Sequence, residues 1–245
     1  MSKAARIVAV SAAAILAAFR LSAFTMEPMT ALLAPTGARS VAAFRLKNDG
    51  NARIAVKLSA LTRAVDADGV ETNEGAANLF TIYPQRLLIE PGATMTVKVQ
   101  WKGEAQLASE RCFRFVAEQL PVTDVGDAQS SGIKVMLRYV ASVYVGDAKL
   151  KPDLVAKVVG ATGADGAAGF AIEVENRGAR HLVVSEASLE LKDSAGDKLS
   201  LSEAALAPLV GVNYLPAFPR RFFLPDERAV AGAQYEAELR YKGEY

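Results

Sequence analysis

Few residues in this chain could do covalent chemistry. There is one histidine, His181, and one cysteine, Cys112. A lone imidazole lacks the partners that a metal centre or a nucleophilic triad requires, so His181 reads as a structural or surface residue. Cys112 lies in the alternating run Arg111-Cys112-Phe113-Arg114-Phe115-Val116 and reads as a small buried hydrophobe rather than a reactive thiol. Asp66, Asp68 and Glu71 are close enough to bind Ca²⁺ weakly, but a turn between strands uses the same polar residues, and the turn is the reading adopted. No Gly-x-Ser-x-Gly elbow, Gly-x-x-x-x-Gly-Lys loop or His-Glu-x-x-His helix occurs. The sequence therefore predicts no catalytic residue, no metal and no cofactor. A formal net charge of +1 gives no general attraction for nucleic acid or an anionic membrane surface.

What remains is the non-covalent chemistry of a strand. From Gly132 to Val145, Ile133, Val135, Leu137 and Tyr139 alternate with Lys134, Met136 and Arg138. A period of two places each set on its own face of a strand. A polar, glycine-containing run, Thr123 to Ser131, precedes it, and Gly146-Asp147 follows. The apolar row fits the core of its own domain, the reading that periodicity alone favours, and it also fits an edge offered to another chain.

The elements that must position this strand are themselves strands. Turn signals such as Asn48-Asp49-Gly50-Asn51, Asp66-Ala67-Asp68-Gly69, Glu90-Pro91-Gly92 and Asn176-Arg177-Gly178 separate the alternating segments, which recur every eight to twelve residues in the first half. The segments include Met26 to Leu33, Ile54 to Thr62, Thr94 to Trp101 and Cys112 to Leu120. This spacing predicts an antiparallel β-sandwich. Lys149, Lys151 and Pro152 mark a short hinge, after which the strand pattern resumes at Leu154 and runs to Tyr241. Glu203 to Leu209 fits one helical turn, limited by Pro208. Arg220-Arg221 ahead of Phe222-Phe223 fits either a partner-facing pair or the flank of a buried strand.

The first residues are different material. Lys3 and Arg6 precede the apolar run Ile7 to Phe19, and Leu21-Ser22-Ala23 ends in small residues. That order reads as a secretory signal peptide over residues 1–23, with an uncleaved membrane anchor as the alternative; the run is short for spanning a bilayer and is interrupted by Arg20. Its removal takes away Lys3, Arg6 and Arg20 and no acid, leaving 25 basic and 27 acidic residues, a net charge of −2. With a single cysteine, an exported chain of this kind forms no internal disulfide and relies on its cores.

Several segments together resemble the periplasmic pilus-assembly chaperones of chaperone–usher systems. They are Gln85-Arg86-Leu87-Leu88-Ile89-Glu90-Pro91-Gly92, the strand to Trp101, Glu110 to Pro121, and the strand after the polar loop. The resemblance covers about Phe24 to Val145; the rest fits the family's second domain in general character only. It implies an all-β chain of two immunoglobulin-like antiparallel β-sandwich domains at an angle, 24–147 and 148–245. It also implies a mechanism that needs neither nucleotide nor metal. The last strand of the first domain, about residues 133–139, is donated to a pilus or fimbrial subunit that lacks one, and the subunit passes to an outer-membrane usher. Ile133, Val135, Leu137 and Tyr139 would enter the subunit's groove. The chaperone would work in the periplasm, with no stable membrane insertion once the signal peptide is cleaved.

Two positions depart from the family. Its members clamp the subunit's terminal carboxylate with an Arg on the first strand and a Lys on the last, where this chain has Thr30 and Ser142. Arg138 and Lys134 are the basic residues on the same strand that could act instead, or be ordinary solvated charges. Glu110 matches the acidic member of the family's interdomain ion pair, but its Arg partner's position holds Gly146, so the domains are expected to be held differently. The alternative function is a two-domain immunoglobulin-like structural or adhesive surface protein, in which residues 133–139 are internal. A secreted hydrolase is disfavoured, for want of catalytic residues.

Overall fold

Alternating apolar and polar residues form the strands and turn residues end them, in a computed structural model that describes residues 24–121, 135–163 and 166–245. The leader read over residues 1–23, the polar loop, Ile133 and Lys134 lie outside the described residues. In the first half the strands are β1 (Phe24–Glu27), β2 (Thr30–Leu33), β3 (Val41–Asn48), β4 (Ile54–Thr62), β5 (Ala64–Val65) and β6 (Glu71–Thr72). They continue as β7 (Phe80–Tyr83), β8 (Arg86–Ile89), β9 (Thr94–Trp101), β10 (Arg111–Leu120) and β11 (Arg138–Val145). One sheet has the order β1-β3-β9-β7 and the other β2-β11-β10-β4-β8. The segment read as one strand from Met26 to Leu33 is split at Pro28, and β7 is separated from β8 by Pro84. At both places the chain leaves one sheet for the other, at a residue with no N–H for a ladder.

The inward rows of the two sheets make one core. Phe44, Leu46, Val97 and Val99 meet Val56, Leu58, Phe115 and Val143, and Phe80, Trp101 and Phe113 form an edge-to-face cluster. Full burial of each such side chain contributes about 1.5–3 kcal/mol.

In the second half the strands are β12 (Leu154–Thr162), β13 (Ala168–Asn176), β14 (Leu182–Asp193), β15 (Lys198–Ser200), β16 (Asn213–Tyr214), β17 (Arg220–Pro225) and β18 (Tyr235–Glu244). The order β12-β13-β17 makes one sheet. In the other, β14 pairs with β18 along most of its length and with β16 and β15 near its two ends. A second core, around Phe170, Ile172, Leu189, Leu191, Tyr214 and Leu224, lies between them. The helical turn read at Glu203 is α1 (Glu203–Leu206), capped by Ser202, whose Oγ accepts from the Ala205 N–H. Among the described residues no helix is long and apolar enough to cross a membrane.

Each half ties a strand end with a buried asparagine. Asn48 Nδ2 donates to the Ala52 and Ile89 carbonyls, and its Oδ1 accepts from Gly50 N–H. Asn176 does the same with Arg180, Tyr214 and Gly178. Both were readable as turn residues, and burial makes the full set of hydrogen bonds obligatory.

Candidate strand-pairing edge and the cleft beside it

β11 pairs antiparallel with β10, from Arg111 opposite Val145 to Glu118 opposite Arg138. Its other side is covered by β2 only from Ser142 onward, in a parallel ladder that sets Ser142 opposite Thr30 and Val145 opposite Leu33. The Ser142 N–H goes to the Met29 carbonyl, and the Gly146 N–H to Leu33. By strand alternation, the backbone groups of Arg138 and Val140 face the same side, where no described strand pairs with them. The sheet therefore has an open edge ahead of Ser142.

The apolar row runs along this edge from exposed to buried. Val135 is 52% exposed. Leu137 and Tyr139 are half-buried against the first core, and the Tyr139 ring meets Phe24 edge-on at 4.8 Å. Ala141, Val143 and Val145 continue the row as full core residues. Sequence periodicity placed the strand's start near Ile133, whereas ladder pairing starts at Arg138. Ahead of it a hydrogen bond from Gln119 N–H to the Leu137 carbonyl extends the contact with β10. Arg138 is exposed at the outer end of the strand.

At the inner end, Thr30 and Ser142 are direct neighbours, and the basic group beside them comes from β10. Arg114 Nη1 donates to Ser142 Oγ at 2.7 Å. Its Nε donates to Glu71 Oε1 at 2.7 Å, and its Nη2 to Glu71 Oε2. Arg63 Nε joins the same carboxylate at 2.9 Å, while its Nη1 donates to the Tyr144 hydroxyl at 3.0 Å. Burial alone would raise the Glu71 carboxyl, but the Arg114 hydrogen bonds and the charges of Arg63 and Arg114 outweigh it and hold it at about 2. Sequence reading missed this cluster because β5 and β6 are too short to alternate. The available signal was a pair of arginines, Arg63 and Arg114, at the end of one strand pattern and inside another.

Asp66 belongs to the turn as expected, its Oδ1 accepting from the N–H groups of Asp68 and Val70. Among the described residues no group of His, Cys, Asp and Glu side chains is arranged to hold a metal. Cys112 is partly buried beside Tyr144, and burial pushes its thiol up to about 12.

Glu110 and His181 join the two halves. Glu110 is 8% and His181 4% exposed, and Nδ1 of the ring is 2.6 Å from Glu110 Oε1. The same oxygen accepts from the His181 N–H, and the Glu110 N–H donates to the Ala179 carbonyl. The imidazole stacks on the Tyr144 ring, centroids 3.6 Å apart and planes within 6°. Asn213 Nδ2 also donates to the Tyr144 hydroxyl. Arg180 Nε approaches Glu110 Oε2 at 4.0 Å. Gly146 is opposite: a Cβ there would lie 3.2 Å from both Glu110 Cα and Cβ. A chain without an arginine at 146 thus partners Glu110 from the far half, through its only histidine.

No protein-family model matches the chain, and no curated protein matches it by sequence. Solved structures do. The class 5 fimbriae chaperone CfaA is 14% identical with a TM-score of 0.56, over 89% of this chain and 99% of that one. The E. coli chaperone DraB is 12% identical with a TM-score of 0.55, over 91% and 97%. The CsuC–CsuE chaperone–tip adhesion subunit pre-assembly complex, from the archaic chaperone–usher Csu pili of Acinetobacter baumannii, matches at 11% identity and a TM-score of 0.54, over 86% and 94%. At these identities the likeness is one of fold. The chain has the all-β, two-domain immunoglobulin-like fold of pilus chaperones.

Proposed function

We propose that the protein is a periplasmic chaperone of pilus or fimbrial subunits, acting without catalysis by pairing β11 and the residues ahead of it with a subunit that lacks a strand. The observation that supports this most directly is the open edge of β11. β10 pairs with one side of the strand, but ahead of Ser142 no described strand pairs with the other, and the apolar row runs out of the core into exposure at Val135. An edge of that kind is an invitation to a further strand, and a strand-deficient sandwich supplies both the backbone partners and the groove for alternate side chains. The donated residues are Ile133, Val135, Leu137 and, at its inner limit, Tyr139. The first domain spans 24–147 and the second 148–245; residues 1–23 are a cleaved export signal, and an outer-membrane usher receives the subunit.

A guest strand running parallel to β11 would present its C-terminal carboxylate near Ser142, where Arg114 is already in place. Arg138 is the second basic contact, at the outer end of the edge, with Lys134 beyond it. Arg114→Ala should therefore weaken subunit capture more than Arg138→Ala, and Arg138→Ala more than Lys134→Ala. The reverse order would return the anchor to the donor strand itself.

Co-purification from periplasm of the tagged chain tests the central reading, with a variant carrying Ser or Thr at Ile133, Val135 and Leu137 beside it. A small pilin-like protein captured by the wild type and lost by the folded variant supports the reading. Capture by neither, while neighbouring secreted proteins are expressed, favours a two-domain surface module instead. The packing of Leu137 and Tyr139 against the chain's own core is what such a module would need.

A further inference from the structure

The hairpin β5–β6 divides its contacts between the two domains. Near its base Val65 is buried with Tyr144 and Leu215, and Glu71 holds Arg63 and Arg114. Its tip rests on β17. The Arg221 N–H donates to the Ala67 carbonyl at 2.7 Å, and the Arg220 guanidinium lies so close over Gly69 that it would have to move aside for a Cβ there. Gly69 also has φ +91°, a left-handed conformation that suits glycine. The Asp66 carboxylate ties the turn internally, accepting from the N–H groups of Asp68 and Val70. Asn213 Oδ1 and Arg220 Nε are buried along this seam with no hydrogen-bond partner in the protein. The seam is thus less completely satisfied than either core, and easier to open.

We infer that Glu71 is a latch: in the free protein its carboxylate fills the Arg63–Arg114 pair, and a carboxylate brought to Ser142 by a paired strand displaces it, releasing the hairpin from β17. The inference rests on the strand-pairing reading for its ligand and adds regulation to it. The displacement exchanges one carboxylate for another, so the two partly buried guanidinium groups are never left uncompensated, which would be unfavourable. Capture of a client is thereby coupled to the freedom of the second domain.

Acetate, with acetamide as the uncharged control, is the probe, and the side-chain Nε–H resonances of Arg63 and Arg114 in the full chain are the readout. In wild type, acetate is expected to leave both unshifted. In Glu71→Gln, acetate but not acetamide should shift Arg114 saturably, and hydrogen exchange at the Arg221 amide should be about tenfold faster than in wild type. Glu71→Asp, which keeps the charge but shortens its reach, should fall between them and guards against a misfolded amide variant. The latch is overturned by an unshifted Arg114 in both variants, by wild-type shifts as large as theirs, or by Arg221 exchange that does not change. None of these readouts uses a client, so failure of the latch and failure of the chaperone reading are separable through the co-purification above.

Discussion

At its C-terminal end β11 is paired on both sides: Ser142 to Val145 lie between β10 and β2, Val143 is 2% exposed, and Tyr144 is clasped from the second domain by His181 and Asn213. At its N-terminal end the strand keeps β10 on one side and no described strand on the other, and the same apolar row emerges through Tyr139 and Leu137 to an exposed Val135. The binary pattern does not change between the two ends. What changes is whether a neighbouring strand and an opposing sheet are there to receive it, which is a property of the whole fold.

The contrast can be broken most sharply with one substitution at two sites. Val143→Asp puts an unpaired carboxylate into the core and should cost about 4 kcal/mol or more, unfolding the first domain as read by Trp101 fluorescence. Val135→Asp should stay within about 0.5 kcal/mol of wild type while abolishing subunit capture. Equal losses of stability at the two sites would erase the distinction. Next in size, Glu110→Ala leaves the His181 ring without its buried partner and should lower stability by about 3 kcal/mol, seen in thermal unfolding. The double variant with His181→Ala should cost clearly less than the sum of the two single changes, because they act on one contact.

Leu137→Ala, at the half-covered point of the row, should fall between Val143 and Val135, at about 1 kcal/mol in denaturant titrations. The smallest effect concerns pH. Because the Glu71 carboxyl is depressed, its contribution is complete above the ordinary value of 4.5 and is lost as pH falls toward about 2. Arg221 amide protection should decline over that window in wild type and be flat in Glu71→Gln. A decline of equal size in both would assign the acid sensitivity to another group.

Most of the strand framework was legible because its signals are local. Ile54 to Thr62 and Thr94 to Trp101 appear as β4 and β9 with the bounds their alternation gave, and the Asn48 and Asn176 turns are where the turn residues stand. The apolar row from Val135 to Tyr139 was legible as a row, but its coverage was not, since that depends on where β2 begins. The cleft was least legible. Glu71 meets Arg114 across 43 positions and Glu110 meets His181 across 71, and no periodicity reports on such distances. His181 could be assigned a structural role because it has no catalytic companions; the glutamate beneath it and the tyrosine stacked on it come from folding.

The way β2 takes over at Ser142 has one more consequence. Any strand laid along the edge ahead of it is halted by the chain's own Met29–Thr30 segment, at about 3.3 Å per residue of travel. Flat strand pairs are prone to slide by two residues, since doing so preserves which side chains face inward. A fixed terminus removes that freedom. The position of a visiting strand is then measured from its end, like a rod pushed against a stop, and guests of unrelated sequence can be seated in the same register.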